Sequence, residues 1–365
     1  MIKDLVDQHP YIQIVAGSEG GCPWFRANWP LYVANMMDRG FHVFRTPEPI
    51  VDGPVFAQTR SIVIHAIPTD EIVAMLKPLA ALRDNYGFKL VLSFDDLPCE
   101  YHGQGRPQWH NAPVPKQENL VVAGSIVDTV IVSTEYLKDL VLDLCPNARV
   151  EVIQNAIPRH MFSMERNVNK QAPTVPHIVA SGAPMHYSGD FDDWSSGSWA
   201  EWLCNKVSNG EARFTLMGGV MPKYLQPIAD KIKVIPWTPT LNYPGLLGRL
   251  KPDLIIGPLV DNEYNRCKSD LRYIEAAAVN SAFMGSWFQN GAYEKIPEAS
   301  RVPLGANVDR IDKVYCQIMS QYGNLLAEGW RRLDDGRIME SENWIRRWIS
   351  AVTGGTRYFV REDFR

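Results

Sequence analysis

Four side chains within one short stretch have the types and spacing to hold a polyanion: Lys268, Ser269, Arg272 and Glu275. Lys268, Arg272 and Glu275 follow one another by four and then three positions, so on a helix they share one face. Cys267, Leu271, Ile274 and Ala278 fall on the opposite face, where they can pack on a sheet. Two cations beside a helix N-terminus make a cradle for a diphosphate, because the terminal N–H groups and the helix dipole both favour anions there. Glu275, about two turns on, is placed to accept hydrogen bonds from a ribose diol. A solvated polar face with ordinary charge pairs fits the same spacing, so spacing alone leaves both readings open.

The elements that must position these groups are readable around them. Leu254 to Val260 is a short apolar run of the kind a buried parallel strand shows. Asp261 to Ser269 is then the loop beyond its carboxyl end, where open α/β sheets bind ligands. Asp270 to Val279 reads as a helix and Ala282 to Ser286 as the next strand. Upstream, a strand beginning after Pro176 runs into Gly182-Ala-Pro-Met-His186. There Gly182 allows a close approach of phosphate to backbone N–H groups, and His186 could donate to a phosphate or a sugar or be structural. Further strands are expected at Arg213–Met217, followed by Gly218 and Gly219, and at Ile232–Trp237; helices are expected at Trp199–Val207 and Tyr243–Leu250. Two last helices, about Val308–Leu326 and Glu340–Val352, close the chain, and Trp344 to Trp348 in the second is amphipathic.

The N-terminal half repeats the alternation. Tyr11–Val15 reads as a strand, Ala16 to Arg26 as a glycine-rich loop, and Pro30–Arg39 as a helix. Glycines at 17, 20 and 21 do not fit GxGxxG, so a dinucleotide site is unsupported. Phe41–Phe44, Ser61–His65 and Lys89–Phe94 are further strands, with a helix from Thr69 to Tyr86 between the last two. Asp95 and Asp96 directly follow the third run. Adjacent carboxylates at a strand's carboxyl end could orient or deprotonate a hydroxyl, or simply cap a turn. Pro98–Pro115 is long and irregular and mixes aromatic with basic groups, including His102, Arg106 and Trp109; it could stack on a nucleobase or on a sugar. A strand at Thr129–Ser133, a helix capped by Thr134 and a strand at Val150–Ile153 complete this half, and the polar segment Arg159–Pro176 is the natural linker. The pattern predicts an α/β protein with mostly parallel sheets.

Length and composition bound the rest. A chain of 365 residues is expected to split into two domains. No N-terminal signal peptide and no apolar run of about eighteen residues is present, which predicts a cytoplasmic protein without membrane partners. The six cysteines are scattered with no CxxC spacing, against a disulfide framework or a structural zinc site. A net charge of −4 gives no bulk signal for nucleic acid, although it does not report how charge is distributed.

The run Pro258-Leu…Asn265-Arg-Cys-Lys-Ser-Asp-Leu-Arg-Tyr-Ile-Glu-Ala-Ala-Ala278 resembles the donor-binding signature of GT-B glycosyltransferases. More narrowly it is similar to the retaining branch typified by O-antigen transferases and their phage-encoded members. Val132-Ser-Thr-Glu-Tyr-Leu…Val152-Ile-Gln-Asn-Ala-Ile157 and Gly182-Ala-Pro-Met-His186…Asp190 resemble two further motifs of that branch, and Gly21-Cys-Pro-Trp-Phe-Arg26…Pro30 its N-terminal loop. There are departures: the branch often has two glutamates eight positions apart, and where the second matches Glu275 the first is Cys267. Gln154, Ala156 and Pro158 also differ from the usual run.

The resemblance implies two Rossmann-like domains facing across a cleft, with an acceptor domain at 1–165, a nucleotide-sugar domain at 166–340, and a C-terminal helix at 341–365 returning to the first. It implies transfer of a sugar from a nucleoside diphosphate, a UDP-sugar in first place, to a hydroxyl with retention and with no metal or other cofactor. Gly182, His186, Trp237, Asn265, Lys268, Ser269, Arg272 and Glu275 would bind the donor, with Trp237 near the base or else in the core. Lys268 and Arg272 would stabilise the leaving group, and Asp95 and Asp96 would position the acceptor. Arg26, His102, Arg106 and Trp109 would line the acceptor side, Arg26 having a structural capping role as its alternative. The phage-encoded likeness makes a hydroxymethylated base of phage DNA one candidate acceptor, with the host cytoplasm as the setting, and a surface polysaccharide the other. A nucleotide-sugar epimerase and a non-catalytic nucleotide-binding protein are the rival readings.

Overall fold

The apolar runs become two six-stranded sheets in which neighbouring strands pair in parallel. The computed structural model describes residues 10–17, 21–37, 40–107, 114–162, 164–183, 186–187 and 189–354. They divide into two units. The first takes the described residues within Met1–Gly105, Pro113–Pro158 and Ile338–Arg365, and the second those within Arg106–Ala112 and Arg159–Arg337.

In the first unit, β1 (Tyr11–Val15), β2 (His42–Thr46), β3 (Thr59–His65), β4 (Lys89–Ser93), β5 (Thr129–Val132) and β6 (Val150–Val152) are ordered β2-β1-β3-β4-β5-β6. The order reverses at β1, so the carboxyl ends of β1 and β3 flank a topological switch point, the usual ligand position in such sheets. The central strands are apolar and buried on both faces, as helix-covered parallel strands must be. Helix α1 (Trp29–Met36) is entered through a helical turn at Gly21–Pro23 and a π-helical stretch at Trp24–Asn28. The expected glycine-rich loop up to Arg26 is therefore helical from Gly21 on. Pro30 has no N–H to give and its ring crowds the preceding turn; the wider π turn, closed by Trp29 N–H to the Trp24 carbonyl, lies immediately before it.

Local signals set the other helices. α2 (Asp70–Tyr86) starts where the Thr69 hydroxyl accepts from Ile72 N–H and stops at Gly87, which takes the left-handed conformation that a helix C-terminus favours. α3 spans Gln117–Ile126, and α4 (Glu135–Leu144) is capped by Thr134.

In the second unit, β7 (His177–Ser181), β8 (Arg213–Met217), β9 (Lys233–Ile235), β10 (Leu254–Gly257), β11 (Ala282–Trp287) and β12 (Arg301–Pro303) are ordered β12-β11-β10-β7-β8-β9. This is the doubly wound order, with its switch point between β7 and β10. The helices are α5 (Trp199–Ser208), α6 (Tyr243–Leu250), α7 (Glu263–Arg266), α8 (Leu271–Ala278), α9 (Val308–Ser320) and α10 (Tyr322–Asp334). The single helix expected at Val308–Leu326 is two, broken at Gln321, and the second continues to Asp334. At the break the backbone comes close to another segment: a Cβ on Gly323 would lie 2.9 Å from the Val168 carbonyl oxygen. β12, three residues long, carries too short a pattern to be read from the sequence.

The last helix, α11 (Glu342–Val352), belongs to the first unit. Trp344 Nε1 donates to the Gln154 carbonyl at 3.0 Å, and the Ser61 hydroxyl donates to the Val352 carbonyl. Trp344, Ile345 and Trp348 are all buried on the apolar face of this helix. Truncating a buried Trp removes its transfer free energy and leaves a cavity, together about 3–5 kcal/mol. Trp348→Ala should lower the free energy of urea unfolding by that order with its far-UV dichroism retained; a loss below about 1 kcal/mol would mean that α11 adds little to the first unit.

Candidate functional site

At the switch point of the second unit, one buried carboxylate joins three segments. Asp190, in the loop after β7, is fully buried. Its Oδ1 accepts from Val260 N–H at 3.1 Å, in the loop after β10, and from Asn265 Nδ2 at 2.6 Å, on α7. Its Oδ2 lies 2.5 Å from His186 Nδ1. Asn265 also gives its amide N–H to Asn262 Oδ1, the cap of α7, and Nδ2 to the Val260 carbonyl at 3.0 Å. The His186 ring stacks beside Tyr264, whose hydroxyl accepts from Lys268 Nζ at 2.9 Å while the ammonium stands 4.1 Å from the ring centroid.

A second network holds Arg272 in the first turn of α8. Its Nη1 donates to Ser181 Oγ at 2.6 Å, Tyr243 Oη at 2.8 Å and Glu275 Oε2 at 3.2 Å. Tyr243 in turn donates to Glu275 Oε2 at 2.9 Å. Burial works against the guanidinium charge, but Tyr243, Glu275 and Tyr293 outweigh it and raise the Arg272 pKa, so the cation persists. For Glu275, only 2% exposed, burial raises the pKa against the pull of Arg272 and Tyr243. Burial likewise keeps the phenols of Tyr187, Tyr243 and Tyr293 protonated. Arg272 Nη2 would stand 3.7 Å from a Cβ on Gly182, so the cation lies against the turn that ends β7.

The start of α8 is anchored from behind. Asp270 makes no side-chain cap to its own helix and instead accepts from Arg332 Nη2 at 3.1 Å and from both terminal nitrogens of the fully buried Arg337. Burial opposes the charge on Asp270, but Arg337 and Arg332 overcome it and lower its pKa. Lys268 and Ser269 sit in the connection between α7 and α8, both half-buried.

Some expected roles change in detail. The Gly182 N–H is donated to the Met217 carbonyl at 3.2 Å in the β7–β8 ladder, and a Cβ there would make only ordinary contacts. The glycine requirement falls on Gly218, with φ of +87°, where a Cβ would stand 2.5 Å from the Gly182 carbonyl oxygen, and on Gly219, where it would stand 2.5 Å from the Tyr187 ring. Asn265 is completely buried and ties the loops together. Trp237 is 54% exposed beyond β9, so it is a surface ring and not a core one. Ser181, Tyr243 and Gly218 are members of this site that sequence reasoning did not select. The sequence marks Asp190 only as the end of the Gly182…Asp190 motif, with no role given to it.

The first unit has its own polar cluster at its switch point. Cys22 Sγ and carboxylate oxygens of Asp95 and Asp96 lie within 4.8 Å of one another, with Sγ 3.6 Å from Asp96 Oδ2. Arg26 is buried on the π turn, donates from Nη1 to the Ile153 carbonyl and to Asn155 Oδ1 at 3.2 Å, and is coupled electrostatically to Asp95. Burial lowers its pKa and Asp95 opposes that. His65, at the end of β3, is buried with no hydrogen-bond partner at Nδ1. Burial first, then the Arg26 charge, pushes its pKa down to about 3. His102 is exposed, stacks on Tyr101 and belongs to the first unit, whereas Arg106 belongs to the second. Trp109 lies outside the described residues.

No protein-family model matches the sequence, and no curated protein sequence does either. Solved structures do match. Anabaena HepE, crystallised with UDP and glucose, shares 12% identity and aligns over 94% of this chain and 100% of that one with a TM-score of 0.58. A glycosyltransferase from Rickettsia africae shares 13% identity over 95% of this chain and 98% of that one, with a TM-score of 0.57. The pneumococcal O-GlcNAc transferase GtfA, solved with UDP and GlcNAc, shares 12% identity over 81% of this chain and 57% of that one, with a TM-score of 0.54. With the two sheet orders above, this likeness establishes the fold as GT-B, two Rossmann-like domains in one chain.

Gly218→Ala should destabilise the second unit by about 1–3 kcal/mol, through a strained positive φ and a backbone clash. Gly182→Ala should stay within about 1 kcal/mol of wild type, and equal losses in thermal unfolding would contradict the assignment. The unfolded chain takes up a proton on His65 near pH 6.5, which the folded chain refuses until about pH 3. The folded state is therefore fully favoured above the unfolded value and loses that advantage as pH falls from about 6.5 toward 3, at up to ~1.4 kcal/mol per pH unit. His65→Phe should show a shallower fall in stability over that window; parallel curves for variant and wild type would refute the buried neutral histidine.

Proposed function

We propose that the protein is a nucleotide-sugar-dependent glycosyltransferase, with the donor on the second unit and the acceptor on the first. The observation that carries this reading is the position of Arg272: a charged guanidinium held by Ser181, Tyr243 and Glu275 against the Gly182 turn, at the switch point of the sheet. Lys268 and Ser269 lie just before the same helix. Such a preorganised cationic group suits a diphosphate more than any neutral ligand. HepE and GtfA, which share the fold, were solved with UDP, and a UDP-sugar is the donor this reading favours.

In the reaction, the bond between the sugar's anomeric carbon and the diphosphate oxygen breaks, and the acceptor oxygen forms the new bond to that carbon. The acceptor proton leaves with the nucleoside diphosphate or through solvent. Lys268 and Arg272 stabilise the negative charge that develops on the leaving group, as groups oriented before the reaction begins. The motifs around Lys268 and Glu275 favour the retaining branch, and Glu275 is the group to meet the ribose. Asp95 and Asp96 orient the acceptor hydroxyl, with Arg26 behind them. The acceptors we infer first are a hydroxymethylated base of phage DNA and a surface glycan, both reached from the cytoplasm.

The test is nucleoside-diphosphate release from a donor panel, with and without hydroxymethylated DNA. Release that depends on DNA, and weakens steeply with salt, identifies a DNA acceptor; release with a glycan and no salt dependence identifies the other. Interconversion of the donor sugar with no acceptor present would make the protein an epimerase. Binding of UDP without release from any donor would make it a non-catalytic binder. Lys268→Ala should lower turnover about tenfold or more without lowering the melting temperature, and unchanged turnover would remove Lys268 from the site.

A further inference from the structure

His186 and Asp190 form a dyad whose geometry is more specific than donor binding requires. An ionised carboxylate only accepts hydrogen bonds. Asp190 Oδ1 is occupied by the Val260 and Asn265 N–H groups, which leaves Oδ2, 2.5 Å from His186 Nδ1, as the oxygen that faces the ring. That contact decides which ring nitrogen is which: Nδ1 faces Asp190, and Nε2 is directed away from it. The ring plane is set by Tyr264 stacked beside it, and Tyr264 is bonded to Lys268. The carboxylate is fully buried and holds two other segments in place. It therefore cannot swing away from the histidine without giving up two further hydrogen bonds.

We propose that Asp190 is a positioning residue of the transferase, acting through His186 so that Nε2 meets the departing diphosphate beside Lys268 and Arg272. The assignment rests on the donor site proposed above and adds to it the group that orients its histidine. The amide analogue Asp190→Asn is the informative variant. Its Oδ1 can still accept from Val260 and Asn265, which preserves the packing. Its Nδ2 then points at His186 Nδ1, which has to accept, and the proton of the neutral ring moves to Nε2. Shape is kept while the hydrogen-bond polarity of the histidine is reversed.

The experiment combines a double-mutant cycle with a direct reading of the ring. In the full-length protein, Asp190→Asn and His186→Gln should each lower kcat for UDP-sugar turnover about tenfold or more, with KM for the donor within about threefold of wild type. The double variant should be no slower than His186→Gln alone, because the two residues act as one unit. Multiplying losses in the double variant would show Asp190 acting independently of His186 and overturn the proposal. Nitrogen-15 spectra of the histidine ring give a readout that needs no turnover. Wild type should carry its proton on Nδ1 of His186 and Asp190→Asn should not; a wild-type ring unprotonated at Nδ1 would equally overturn it. UDP titration into wild type separates the two levels. A protein that fails to bind UDP defeats the donor-site reading itself, and the ring spectra still decide whether Asp190 orients His186.

Discussion

The second unit depends on keeping the Asp190 carboxylate out of water. An isolated buried carboxylate is strongly disfavoured unless its lone pairs are met by partners, and here two N–H donors and the His186 ring nitrogen meet it from three different segments. The loop after β7, the loop after β10 and the short helix α7 are held in register by the same side chain. These are the connections that flank the switch point of a doubly wound sheet, where the chain has to diverge and leave a crevice. Asp190 fixes how these connections sit against one another.

The charge network on the facing helix obeys the same constraint. Arg272 is kept cationic at the crevice by three oxygen acceptors on β7, α6 and α8. Tyr243 serves as both acceptor from Arg272 and donor to Glu275, so one phenol bridges the two groups. Behind the helix, Asp270 is held by Arg332 and Arg337, and the first turn of α8 cannot shift without breaking that pair. The position of the Arg272 guanidinium is thus fixed by the fold itself.

The first unit shows a different balance at its own switch point. Cys22, Asp95 and Asp96 converge beside the buried Arg26, so the carboxylates have a cation within electrostatic reach. His65, at the end of β3, is kept neutral by burial and by that same cation. The first cluster is therefore mainly carboxylate and the second mainly cationic, although both lie at the carboxyl ends of parallel strands.

Much of this was legible from local pattern. The strand and helix sequence around β10, α8 and β11, the caps at Thr69 and Thr134, and the parallel α/β class follow from hydrophobic period and from capping chemistry, which act over a few residues. The cluster of Lys268, Arg272 and Glu275 was legible because these residues are close in the chain. The break at Gln321 and the helical entry through Trp24–Asn28 were not, since each depends on contacts or crowding that overrides propensity. Nor were the partners of these groups: Ser181 and Tyr243 come to Arg272 from across the sheet, and Gly218 matters because Gly182 lies against it. The sequence by itself determined which residue types line the carboxyl ends of the strands, because those types sit at fixed offsets from apolar runs. Only the tertiary structure decided which of them touch, because hydrogen bonds between distant segments depend on strand order, and strand order is not written in any local window.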